Sequence, residues 1–120
     1  MPYYPTPKQP YVASVDYVRQ QLRPADLLVV VHLAEVGYRY YGPRIGLDEG
    51  RNTVYLRSRA DLEAVMRSHT TGRILLVTTF PRIMRLEFPD LASAIDDGWT
   101  VARRFPGTIG DGDIAVWFPR

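Results

Sequence analysis

The sequence predicts an α/β fold, and three features carry that prediction. Leu27 to Val31 and Arg73 to Phe80 contain short, continuous, apolar runs of the kind found in strands buried on both faces of a parallel sheet. Stretches with apolar residues at helical spacing precede, separate and follow these runs. From Trp99 onward apolar and polar residues alternate in two stretches joined by a glycine-rich loop, the pattern of an antiparallel hairpin. Strands separated by helices require right-handed crossovers. The expected architecture is therefore a three-layer, Rossmann-like sandwich with a mostly parallel sheet and a C-terminal antiparallel edge hairpin.

The elements follow in order. Pro2, Pro5, Pro7 and Pro10, with Tyr3 and Tyr4 between them, make residues 1–10 a proline-rich extended arm or linker, leaving 11–120 as a single α/β domain. Tyr11, Val15, Val18 and Leu22 recur at helical spacing until Pro24 closes the first helix. Asp26 leads into the Leu27 to Val31 strand, expected at the centre of the sheet. Glu35 to Tyr41 adds helical turns before Gly42, Pro43, Gly46 and Gly50 mark a long connection. Thr53 to Arg57 reads as a strand. Ser58 and Asp61 resemble a capping box for a helix with Leu62, Val65 and Met66 inward, which Gly72 stops. Pro81 breaks the third strand, Pro89 fits the first turn of a last helix, and Gly98 ends it. In the hairpin, Trp99, Val101 and Phe105 share one face of one strand, and Ile114, Val116 and Phe118 one face of the next.

At 120 residues, 46% hydrophobic and 23% charged, the chain suits one globular domain. No apolar run is long enough to span a membrane and no signal-peptide pattern opens the sequence. The absence of cysteine excludes disulfides, thiolate metal sites and thiol nucleophiles. Net charge is only +2 and the arginines are dispersed among acids, which disfavours a nucleic-acid partner. Lys8 is the only lysine, so positive charge is almost entirely guanidinium; the group suits carboxylate or phosphate, but the codon bias of a GC-rich genome is the better explanation of the pattern.

A ligand of an open α/β sheet sits beyond the carboxyl ends of its strands, which points to His32, Ser58 and the Thr78 to Arg82 stretch. The turn after the first strand, His32 to Gly37, carries no glycine fingerprint, so no dinucleotide cofactor is expected. His32 is either a ligand contact or a hydrogen-bonded structural residue. His69, at a helix end, complements the helix dipole there. Tyr38, Tyr40 and Tyr41, near Arg39 and Arg44, offer either a sugar- or lipid-phosphate-binding surface or helix packing and a subunit contact. The Pro106 to Asp113 loop lacks both the Walker lysine and the spaced ligands of a calcium hand; it reads as a hairpin connection, with Asp111 and Asp113 as solvated charges or backbone acceptors. No metal site, no cofactor and no catalytic residue are expected. The ligand-binding candidates are His32, Tyr41 and Arg82.

Tyr3, Tyr4, Pro7, Lys8, Gln9 and Tyr11, the Asp26 to Val31 strand, the Tyr40–Tyr41 pair and the Phe105 to Asp113 segment together carry a family resemblance. The chain resembles the soluble region that follows the last membrane helix in bacterial membrane glycosyltransferases related to dolichyl-phosphate-mannose protein mannosyltransferases. It departs from that pattern at Pro10, where an acidic residue is expected. The resemblance implies a parent enzyme of the GT-C type that transfers sugar from a polyprenyl-phosphate donor. Its acidic catalytic residues would lie in loops outside this chain. This piece would then be a non-catalytic domain on the extracytoplasmic face, joined by its arm to the membrane-embedded part of the parent chain and in contact with a polyprenyl-phosphate sugar or an acceptor glycan. The other reading is a stand-alone cytoplasmic α/β module binding a small anionic ligand.

Overall fold

The computed structural model describes residues 8–107 and 113–120. The first helix, α1 (Lys8–Gln21), starts three residues before the expected boundary at Tyr11. Pro10 stands in its first turn, where a missing backbone N–H breaks no helical hydrogen bond. Residues 8–10 are therefore helical and not part of an extended arm; residues 1–7 of that arm lie outside the described residues. Then come β1 (Leu27–Val31), a 3₁₀ turn at His32–Ala34, α2 (Glu35–Tyr41), a second 3₁₀ turn at Gly42–Ile45, β2 (Thr53–Leu56) and α3 (Arg59–Ser68). They are followed by β3 (Ile74–Thr79), α4 (Pro81–Glu87), α5 (Pro89–Gly98), β4 (Trp99–Phe105) and β5 (Ile114–Pro119).

The strands form one mixed sheet in the order β2-β1-β3-β5-β4. Parallel pairing joins β1 to β2 and to β3, with Val30 opposite Tyr55 on one side and Val77 on the other. The centre is thus β3, not β1 as the sequence suggested, because the connection out of β1 places β2 on one side and the next crossover returns past β1 to place β3 on the other. The C-terminal hairpin is antiparallel as expected, but only β4 is an edge strand. β5 folds back between β3 and β4 and pairs antiparallel with both, so β4 runs in the same direction as β3.

A register shift between Val101 and Arg103 interrupts the β4–β5 ladder. One extra residue reverses every later side chain, since strand side chains alternate with a period of two. Trp99 therefore packs on one face of the sheet and Phe105 on the other, which corrects the expectation that they point the same way. On the unbulged strand β5, Ile114, Val116 and Phe118 do share a face.

Buried apolar residues divide into two clusters on opposite faces of the sheet. On the first, Leu28, Val30, Leu75, Val77, Ile114 and Val116 meet Val15 and Val18 of α1 and Tyr38 of α2. Tyr38 is 1% exposed, and its hydroxyl donates to Ser14 Oγ (2.9 Å), which in turn donates to the Tyr11 carbonyl (3.1 Å). On the second face, Val29, Val31, Leu76 and Trp99 meet Leu62 of α3, Met84 of α4, and Leu91 and Ile95 of α5. Val65 packs against this cluster as expected, but Met66 is exposed: α3 lies against α5 and turns Leu62 and Val65 inward. α4, which the sequence pattern did not reveal, has seven residues of which only Met84 is buried, too few to show a period.

Asp26 fixes the entrance to β1. Its side chain is 3% exposed and accepts from the N–H groups of Arg73 (2.8 Å) and Arg23 (2.9 Å) and from the Arg73 guanidinium (2.9 Å). Among the described residues no helix is long and apolar enough to cross a membrane.

Candidate functional site

β1, β2 and β3 run parallel, so their carboxyl ends open on one edge of the sheet. Each departs differently. Val31 passes into the 3₁₀ turn that begins with His32. β2 passes through Arg57 to Ser58, whose hydroxyl accepts from the Asp61 N–H (3.1 Å) while the Asp61 carboxylate accepts from the Arg57 N–H (3.1 Å), so the expected cap of α3 is formed. β3 is followed by Phe80, a non-glycine residue held at φ 51° that caps α4, whose first residue is Pro81. A side chain in this left-handed region is strained, and here the strain turns the chain sharply off the sheet.

Glu35 organises the edge near β1 and β2. Its Oε2 accepts from Arg39 Nε at 2.5 Å, and its Oε1 lies 3.3 Å from His32 Nδ1 and 3.8 Å from the Arg57 guanidinium. The hydrogen bond from Arg39 holds the Glu35 carboxyl below its ordinary value, helped by His32 and Arg57, against partial burial, which acts the other way. Arg39 continues the network to Glu49 (2.7 Å) and lies over the Tyr55 ring at 4.1 Å; its bonds to Glu49 and Glu35 push its pKa up. Glu35 thus stays ionised, with its lone pairs engaged by cations.

Next to this network an open cleft of about 320 Å³ separates the start of α3 from the start of α5, lined by Arg57, Ser58, Arg59, Phe88, Pro89 and Asp90 among others. Phe88 also meets the His32 ring edge-on, with centroids 6.3 Å apart, so cleft and network share a wall. The first turn of α5 has no side-chain cap, and its preference for negative charge is met by Asp90. Arg57 lines the cleft, is 67% exposed and is only loosely engaged by Glu35, so its guanidinium keeps spare donors; Arg59 is paired with Glu63 (3.0 Å).

Of the three residues singled out from sequence, two share this edge. His32 follows β1, and Arg82 stands exposed in the first turn of α4 after the neighbouring β3. Tyr41 is at the far end of α2, packed against the α1/α2 face with its ring edge-on to Tyr40 at 4.8 Å, and is not brought to His32. The tyrosine group does not act as one surface: Tyr38 is core, and only Tyr40 is largely exposed, with Arg44 over its ring at 4.6 Å. Sequence reasoning missed Glu35, Arg57 and Phe88. The signal for the first was the spacing of His32, Glu35 and Arg39, which places three ionisable groups along one helical face.

His69 is the C-cap residue of α3 and has its Nε2 buried without a hydrogen bond. Residues 108–112 of the glycine-rich loop, including Asp111, lie outside the described residues. At its border Asp113 accepts from the Gly107 N–H (2.8 Å), the backbone-acceptor role. Among the described residues no three His, Asp or Glu side chains gather in a way that could hold a metal ion. No protein-family model, curated protein or solved structure matches this chain.

Proposed function

We propose that the chain is a non-catalytic recognition domain that binds a phosphate- or carboxylate-bearing ligand at the carboxyl edge of its sheet, between His32 and Arg57. The observation behind this reading is the placement of the exposed Arg57 guanidinium at the mouth of the cleft between α3 and α5, beside a Glu35 whose carboxylate is already engaged by Arg39. A guanidinium with spare donors suits an oxyanion. A carboxylate kept ionised by its cations is poorly placed to give up or take a proton, which favours binding over acid–base chemistry.

In the setting implied by the family resemblance, the domain is a Rossmann-like, three-layer accessory unit of a membrane glycosyltransferase at the extracytoplasmic face. There it assists binding of a polyprenyl-phosphate sugar or an acceptor glycan and contacts the membrane-embedded part of its parent chain. The alternative is a stand-alone cytoplasmic module for a small anion at the same edge; the exposed arginine favours both settings alike.

The test is an amide chemical-shift titration with a water-soluble short-chain prenyl phosphate and with the corresponding prenyl alcohol. The phosphate is expected to shift His32, Arg57, Ser58 and Phe88, the alcohol is not, and Arg57→Ala should weaken the response by about tenfold. No shift at these residues at millimolar phosphate overturns the reading. Sugar transfer by the isolated domain would overturn its non-catalytic part.

A further inference from the structure

A second cleft lies beneath α4, on the face of the sheet that α4 and α5 cover. It encloses about 80 Å³ between Thr78 of β3, Trp117 of β5, Arg85 of α4, Arg104 of β4 and Asp96 of α5, with Met84, Ala92 and Ala115 completing an apolar floor. Thr78 is 6% exposed, and its hydroxyl oxygen accepts from the Trp117 indole N–H at 2.9 Å. That bond fixes the indole and leaves the threonine proton to be donated into the cleft.

Several arginines of the molecule are already committed to carboxylates: Arg39, Arg51, Arg59 and Arg73 each bond one. The side chains of Arg85, Arg104 and Asp96 make no hydrogen bond or ion pair with any described residue, although all three line the same cleft, while Asp113, the fourth charged residue of its lining, accepts from the Gly107 N–H (2.8 Å). Opposite charges that face a common space without pairing keep their donors and acceptors available to a third party. The cleft continues into an open groove of about 330 Å³ along α5, which shares Arg85, Ala92 and Asp96 with it and adds Ser93 and Asp97.

We propose that this cleft is a binding site for a small hydroxylated anion. The anionic group sits between the Arg85 and Arg104 guanidiniums, hydroxyl groups donate to the Asp96 carboxylate and accept from Thr78, and the carbon skeleton lies on the Trp117 indole. Each part follows from the chemistry of the lining: guanidinium forks bind phosphate or carboxylate, carboxylates accept from hydroxyls, and an indole covers apolar C–H faces. A neutral polyol would leave the two arginines unanswered, and an inorganic anion would leave Asp96 and the indole unused. The ligand is therefore a sugar phosphate or a polyhydroxy acid, and the site is separate from the His32–Arg57 edge.

The experiment follows the Trp117 indole N–H resonance of the intact chain during titration with glucose 1-phosphate, gluconate, inorganic phosphate and glucose. Either hydroxylated anion should shift the resonance at millimolar concentration, more strongly than phosphate, with glucose silent. The stronger of the two identifies the source. Arg85→Ala and Arg104→Ala, both surface changes, should each weaken binding by about tenfold. No shift by either hydroxylated anion overturns the proposal, as does a shift unaltered in both variants or matched by glucose. Shifts confined to His32 and Arg57 would support the edge site and reject this one, so the two readings fail separately.

Discussion

Asp26 shows how one buried carboxylate can hold three parts of the chain together. Burial pushes its pKa up, but the N–H groups of Arg73 and Arg23 and the Arg73 guanidinium outweigh that effect, and the net shift is downward. A carboxyl group with a lowered folded-state pKa stabilises the fold above its unfolded value, near 4, and that contribution is lost as pH falls through the folded value. Thermal midpoints should therefore drop more steeply below about pH 4 in the natural chain than in Asp26→Asn, which starts lower at neutral pH. Asp26→Ala, which removes the shared acceptor of two backbone N–H groups and of the Arg73 guanidinium and leaves the latter only the Gln21 carbonyl, should cost about 2 kcal/mol in denaturant unfolding. Gly72 guards the same corner. Its φ is 74° and an added Cβ would stand 2.1 Å from the Ala25 carbonyl oxygen, so Gly72→Ala should destabilise by more than about 1 kcal/mol in the same measurement. The sequence marks Gly72 as a helix stop, but the approach to Ala25 arises only when β1 and β3 pair, and no local pattern records it.

Among the elements, those with a dense apolar signal were legible. β1 and β3 are buried along almost their whole length, and such runs announce themselves without knowledge of their neighbours. Val30→Asp would place an unpaired carboxylate at a fully buried position between Tyr55 and Val77, so the variant should lose its native circular dichroism. A soluble variant with an unchanged spectrum would contradict the strand assignment. What stayed hidden was set by partners. The bulge of β4 depends on its ladder with β5, and alternation counted straight through Ala102 puts Phe105 on the wrong face. The order of strands depends on which side each crossover takes, which explains why β1 reads as central when β3 is.

At the scale of the whole molecule, the sequence located the edge where parallel strands end and placed His32 and Arg82 on it, because that edge follows from strand direction alone. It could not find Arg57 beside Glu35, or Arg85 and Arg104 around Trp117, since those meetings join residues from separate elements. The position of β5 has one more consequence, for synthesis. The ribosome makes β4 before β5, yet β4 touches the rest of the sheet only through β5. Without residues 114–119, β3 has a bare edge and β4 has no partner, so the two edges that β5 joins in the finished sheet are both unpaired. A chain lacking residues 114–120 should accordingly bind a hydrophobic dye and lose cooperative unfolding, whereas a sheet built strand by strand outward would shed only its margin. Folding of this domain is thereby tied to the arrival of β5, on which the pairing of both β3 and β4 depends.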